Sequence, residues 1–210
     1  MHPRRICSQG KQFSASTRVE GRTPDPNMAG IVVRELTPDF LDEWLRLFDH
    51  GALADNPGSS GCYCYFYHAY HAAQDWDARP AAENREAACG LSFTGRLKGY
   101  LAFDERRPVG WVHAAPCLLI PNLQLDASLA IDDADRVGSV ICFVIAAPYR
   151  HRGVAGALLG AACDSFHAQG LAVAEAYPRT AAHGDGSNYH GPMRFIRLRV
   201  SRHSGSAMDE

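Results

Sequence analysis

The chain has 210 residues, 46% of them hydrophobic and 21% charged, with 21 Lys and Arg against 23 Asp and Glu. That is one ordinary globular domain with enough apolar residues for a sizeable core, which excludes a mainly disordered chain. The formal charge of −2 gives no basic face for nucleic acid. No run approaches the roughly 20 apolar residues of a membrane span.

Residues 1–27 carry five basic residues and only Ile6, Phe13 and Val19 as sizeable apolar ones, so residues 1–29 are expected to be a disordered extension. Arg4-Arg5 begins like a twin-arginine export signal, but no apolar stretch follows, and Met28 offers a second start. Seven scattered cysteines (7, 62, 64, 89, 117, 142 and 163) do not form an even, patterned disulfide framework, so the expected setting is a reduced, cytoplasmic one.

From Ile31 the chain reads as a short strand to Leu36, then Thr37 as a helix cap and Pro38 in the first helical turn. Phe40, Leu41, Trp44, Leu45, Leu47 and Phe48 recur at helical spacing to about Asp49. Residues 51–61 are loop chemistry, and Cys62–Tyr67 is an aromatic run without a clear period. Ala81–Leu97 reads as a helix interrupted by Gly90 and Gly95. Gly99–Phe103 and Val109–Ala115 read as an antiparallel hairpin across Asp104–Pro108. Residues 116–137 are a long connection. Val137–Ala146 is apolar on both faces, as a central strand is. Gly153–Gln169 carries Val154, Leu158, Ala162 and Phe166 on one stripe and stops at Gly170, and Leu171–Ala176 is the next strand. Strand, crossover helix and strand give a parallel pair.

Chemistry concentrates where the central strand meets that helix. In Tyr149-Arg150-His151-Arg152-Gly153-Val154-Ala155 a helix opens on small residues, so a phosphate has access to amide groups that lack an intrahelical partner, with the positive end of the helix dipole behind them. Arg150 and Arg152 add charge at the rim. Taken alone, the same pattern is equally an ordinary loop with solvated arginines. No Gly-x-x-x-x-Gly-Lys-Ser/Thr and no Gly-x-Gly-x-x-Gly after a strand occurs, so the other common phosphate loops are excluded.

Arg150-x-x-Gly153-x-Ala155 in this context resembles the acetyl-CoA signature of the GNAT superfamily of N-acetyltransferases, and the order of elements over residues 30–193 is similar to that family's. The resemblance implies an α+β (α/β-like) fold of GNAT type. It has a mixed, mostly antiparallel sheet, flanking helices and a splayed central parallel pair, followed by an atypical tail over 194–210. It implies acetyl-CoA as co-substrate, with the pyrophosphate on the amides of His151, Arg152, Gly153, Val154 and Ala155. The pantetheine arm would lie along Phe143, Val144 and Ile145, with Asn188 as a further contact to it. The acceptor is a small-molecule or peptide amine. No metal, nucleic acid or membrane is expected.

Two positions depart from the family's pattern. Ser139 stands where some members keep a glutamate base, so Glu175 on the next strand is the first candidate base and His113 the second; either residue type also serves as a satisfied structural group on a strand. Ile196 stands where a tyrosine usually protonates the thiolate, and the Gly-Phe pair that follows is missing, so Tyr189 is the candidate acid. The change after Met193 reads as a truncation or a frame change. It leaves a sheet edge expected to be open, which invites association of two copies into a homodimer. Two other readings stand beside the enzyme. One is a non-catalytic or damaged CoA-binding domain of the same fold. The other is a zinc-binding module built on Cys62-x-Cys64 with His68 and His71, although that spacing is not the usual one for zinc. The aromatic residues Tyr63, Tyr65, Phe66, Tyr67, Tyr70 and Trp76 line an acceptor pocket or pack in the core. Cys142 is expected to be buried and inert.

Overall fold

A computed structural model of the chain describes residues 4–8, 30–50, 52–53, 55–69, 75–125, 133–178, 184 and 188–191. Among these, six strands form one sheet: β1 (Arg4–Ser8), β2 (Ile31–Glu35), β3 (Gly99–Asp104), β4 (Arg107–Pro116), β5 (Val137–Ile145) and β6 (Val173–Ala176), in the order β1-β6-β5-β4-β3-β2. Every neighbouring pair is antiparallel except β5 and β6, which are joined by a crossover helix as the apolar pattern requires. The fold is therefore α+β, with a mixed, mostly antiparallel sheet. The helices are α1 (Leu41–Asp49), α2 (Pro57–Ser60), α3 (Ala81–Phe93), α4 (Pro121–Leu125) and α5 (Val154–Ala168).

The sheet is covered on both faces. On one face α1 sets Trp44, Leu45 and Phe48 against Leu101, Phe103, Trp111 and Val144. On the other, α5 sets Val154, Leu158, Ala162 and Phe166 against Val109, Val112, Val140 and Phe143. The predicted stripe of α5 is thus its buried face. Thr37 precedes the first helical turn as expected, but its side chain makes no cap hydrogen bond. The helix expected to reach Leu97 stops at Phe93, because Gly95 at φ +67° turns the chain and lets the amides of Arg96 and Leu97 close on the Leu91 carbonyl.

Two sequence expectations change at the far edge. Residues 4–8, inside the extension expected to be disordered, pair antiparallel with β6. Strand addition needs backbone groups rather than an apolar face, which is why composition did not announce it. The edge of β6 that the atypical tail was expected to leave open is taken by β1. Residues 9–29 and the tail from 192 onward lie outside the described residues.

The active half of the sheet depends on one irregularity. His113 pairs with Cys142 and Ala114 with Val140, so Ile141 is an extra residue in β5, a β-bulge. The parallel pairing with β6 ends at Val140 opposite Ala176. Beyond the bulge β5 runs on to Ile145 without β6 beside it. The bulge also turns Ile141 and Cys142 to the same side of the sheet, where both join the α1-side core.

Gly99, at the start of β3, marks a close approach. A Cβ added there would stand 2.0 Å from the Val112 carbonyl oxygen and 2.5 Å from the Trp111 ring. Gly99→Ala is therefore expected to cost about 3 kcal/mol, since backbone and a packed indole must both give way. Urea unfolding of the two proteins measures it, and a cost under about 0.5 kcal/mol would show that the strand shifts freely.

Candidate active site

β5 ends at Ile145, a short turn covers Ala147–Tyr149, and α5 starts at Val154. The turn between them needs two left-handed residues, His151 at φ +59° and Gly153 at φ +86°. Gly153 adopts that conformation without a Cβ penalty. It caps a 15-residue helix whose first N–H groups point out of the loop. His151, Arg152 and Gly153 are exposed, Ala155 is half-buried and Val154 is buried against the sheet. Chemically this is an anion cradle.

The two arginines have different jobs. The Arg150 guanidinium is held by both carboxylate oxygens of Asp55, and its Nε donates to the Ile145 carbonyl at 3.0 Å. The Arg150 hydrogen bond keeps the Asp55 carboxyl below its ordinary pKa. Arg150 therefore ties the segment after α1 to the end of β5, rather than lending free charge to the rim as its sequence position suggested. Arg152 is the rim cation. Its guanidinium lies 5.1 Å from the centre of the Tyr149 ring, and the Tyr149 hydroxyl donates to Asp104 at 2.8 Å.

In the gap where β5 leaves β6, a turn over residues 188–191 occupies the freed strand edge. The Phe143 amide donates to the Tyr189 carbonyl, and His190 Nδ1 lies 2.9 Å from the Ile141 carbonyl oxygen. Asn188 closes this turn by accepting the Gly191 amide at 2.9 Å. The helix expected to begin at Asn188 lies outside the described residues.

A cavity of about 230 Å³ opens on the α1 side of the splayed strand. Val144 and Tyr189, both predicted site residues, line it. Phe143 and Ile145 point to the opposite face and pack toward α5. Glu175 does not line the cavity. It lies 4% exposed on the paired part of β6, opposite Ser139, whose hydroxyl is 3.2 Å from that of Tyr177. The first candidate base therefore sits below the splay, away from the space an acceptor would enter. His113, the second candidate, does line the cavity, at 0% exposure. Burial, and secondarily His68, holds its imidazole well below the usual pKa.

The aromatic run divides. Phe66, Tyr67 and Trp76 line the cavity. Tyr63 packs on Phe48 and Trp44 and donates to Asp49 at 2.7 Å, while Tyr65 lies under the Arg79 guanidinium. Tyr70 and His71 lie outside the described residues. Sequence reasoning missed what Cys142 meets. Its Sγ is 3.1 Å from that of Cys64, which also accepts the Trp111 indole N–H at 3.3 Å. Tyr63 and Cys64 reach this position in consecutive left-handed conformations, φ +44° and +52°.

No family model matches the sequence, and no curated protein sequence matches it. Solved structures with a similar fold include an aminoglycoside N-acetyltransferase in complex with CoA, 14% identical, with a TM-score of 0.45 over 86% of this chain and 88% of that one. An aminoglycoside acetyltransferase from an uncultured soil metagenomic sample is also 14% identical, with a TM-score of 0.46 over 86% of this chain and 92% of that one. A GCN5-related N-acetyltransferase from Ralstonia eutropha JMP134 is 15% identical, with a TM-score of 0.42 over 86% and 94%. These likenesses are distant. The functional reading rests instead on the splay, the loop and the cavity. Among the described residues no helix is long and apolar enough to cross a membrane.

Proposed function

We propose that the chain is an acetyl-CoA-dependent N-acetyltransferase of GNAT type that moves the acetyl group directly to an amine. One observation carries the reading. The parallel pair parts at the Ile141 bulge, with a Gly153-capped helix start at the far end of the same strand and a cavity on its flank. An anion cradle, a strand edge and a chamber follow one another along β5, the sequence of environments that a nucleotide diphosphate, its amide-bearing arm and a thioester require.

In this reading the pyrophosphate lies on the amides of residues 151–155, with Arg152 at its rim, and the thioester reaches the cavity beside Val144. An arm that pairs with β5 at Phe143 displaces the Tyr189 carbonyl from that amide, so cofactor binding moves the 188–191 turn. Direct attack needs a deprotonated amine, and the leaving thiolate needs an acid. Tyr189 is assigned as that acid because it borders both the strand edge and the cavity. Glu175 is not supported as a base acting directly on an amine in the cavity. The cavity wall among the described residues holds aromatic rings, thiols and histidines but no Asp or Glu. A small amine with an apolar body suits it better than a polycation, whose charges would lose their water without gaining carboxylates.

Thermal unfolding with and without CoA, followed by thiol release from acetyl-CoA across a panel of small amines, tests the proposal. No shift with CoA would refute the fold-based assignment. A shift without thiol release for any amine favours the non-catalytic CoA-binding domain, a reading supported by the Tyr189–Phe143 bond across the arm's path. Within this scheme Arg150→Ala should lower stability by about 1 kcal/mol, because a partly exposed ion pair and a carbonyl contact are lost. It should weaken CoA less than Arg152→Ala does. Titration calorimetry on both variants checks the order, and the reverse order would return Arg150 to the phosphate site.

A further inference from the structure

We propose that Cys64, Cys142, His113 and His68 form a metal site in the cavity wall, binding one zinc-class divalent cation through two thiolates and two imidazoles. The donors come from three parts of the chain: the turn segment after α2 supplies Cys64 and His68, β4 supplies His113, and the β5 bulge supplies Cys142. One donor atom each from Cys64, His113 and Cys142 lie within 4.8 Å of one another, all three residues being buried. The two sulfurs are 3.1 Å apart, and His68 Nε2 lies 3.4 Å from His113 Nε2. A tetrahedral zinc with bonds of about 2.3 Å to sulfur and about 2.0 Å to nitrogen separates its donors by roughly 3.3–3.8 Å. The thiols need only part slightly to admit the ion.

Three further features fit a cation and not merely a packed cluster. The Nδ1 atoms of His68 and His113 are both buried without a hydrogen-bond partner among the described residues, an unusual state for two adjacent polar rings. Burial holds both imidazoles below their ordinary pKa, His68 to about 4, so their lone pairs are available at neutral pH. The Trp111 indole N–H points at Cys64 Sγ, as outer-shell donors do toward a metal-bound thiolate. Burial pushes the Cys64 thiol up, so the empty site holds thiols. Binding then releases one proton from each cysteine to solvent, with no change of oxidation state. A Cys64–Cys142 disulfide would account for the sulfurs but not for the two histidines. Four protein donors leave no open position, so the ion ties the Cys62–Ala69 turns to the sheet instead of activating water. Cys62, expected with Cys64 to supply a local zinc pair, is not part of the cluster. The inference does not depend on the acetyltransferase reading.

The full chain, reduced and freed of metal by chelator, is titrated with Co2+ and then Zn2+. One equivalent of Co2+ is expected to give the visible bands of a tetrahedral site and a sulfur-to-cobalt charge-transfer band, both removed by one equivalent of Zn2+. Cys142→Ser should lose the charge-transfer band, and Cys62→Ser should keep it. The unmutated chain decides the matter even where a variant fails to fold. Absence of the tetrahedral spectrum overturns the site. So does equal loss in Cys62→Ser, or a chain that forms the Cys64–Cys142 disulfide on mild oxidation and never takes up metal.

Discussion

Gly153→Glu is expected to abolish the thermal stabilisation that CoA gives the unmutated chain. At a ligand concentration a hundred times Kd, binding adds about 2.7 kcal/mol to stability. For a domain of this size that is a rise of roughly 5–10 °C in Tm. The substitution acts at the mouth of the anion cradle, on an exposed residue at φ +86° that caps α5. Two effects of the change on the fold partly offset each other. A left-handed glutamate costs roughly 1–2 kcal/mol. Its carboxylate stands at the positive end of a helix dipole, which returns about 0.5 kcal/mol. The apo protein should therefore still fold, with Tm lowered by a few degrees. Against a pyrophosphate the same carboxylate is repulsive and bulky, so the CoA shift should vanish. Gly153→Ala separates the two effects, because it keeps the left-handed penalty and omits the charge. It should retain a reduced but measurable shift. Equal shifts in Gly153→Glu and the parent would remove the loop from the ligand site.

The parts of the molecule that the sequence announced are those governed by local pattern. Val137–Ile145 is apolar on both faces because it is central, and the α5 stripe appears because one helix face is buried. Gly153 is conspicuous because a strand-to-helix turn needs a residue tolerant of positive φ. What stayed hidden depends on partners distant in sequence. Arg150 looks like a rim cation until Asp55, 95 residues away, is found on its guanidinium. The bulge at Ile141 leaves no mark in a run where every residue is apolar or small. Yet it turns Cys142 toward Cys64 and ends the pairing with β6. The Cys-x-Cys spacing misled for the same reason, since the companions of Cys64 are on β4 and β5 and not at Cys62. Glu175 was chosen by its distance from the end of a strand, but β6 stops pairing before the splay and keeps that carboxylate beside Ser139.

Trp111→Ala is expected to be among the most destabilising single changes in the chain, costing about 3–5 kcal/mol, against a typical domain stability of about 5–15 kcal/mol. Trp111 is 0% exposed, meets Trp44 edge-on at 5.9 Å and 75°, and donates its indole N–H to Cys64. Truncation leaves a large hole between α1 and the sheet, and it leaves Cys64 without its donor. The share due to the hydrogen bond is accessible because Trp44 provides an internal control. Trp44 is also 0% exposed, but its Nε1 has no hydrogen-bond partner among the described residues. Replacing either indole with phenylalanine removes a similar volume. Only at Trp111 does it also remove a satisfied N–H and strip a buried sulfur of its donor. Trp111→Phe should therefore cost about 1 kcal/mol more than Trp44→Phe, the usual net worth of one buried hydrogen bond. If the Cys64 sulfur is metal-bound, the gap should widen in the zinc-loaded protein and shrink after chelation, because a thiolate accepts a stronger hydrogen bond than a thiol does. Urea unfolding of both variants, with and without chelator, reads all of these differences. Equal costs for the two phenylalanine variants in both states would show that the indole–sulfur contact is packing alone.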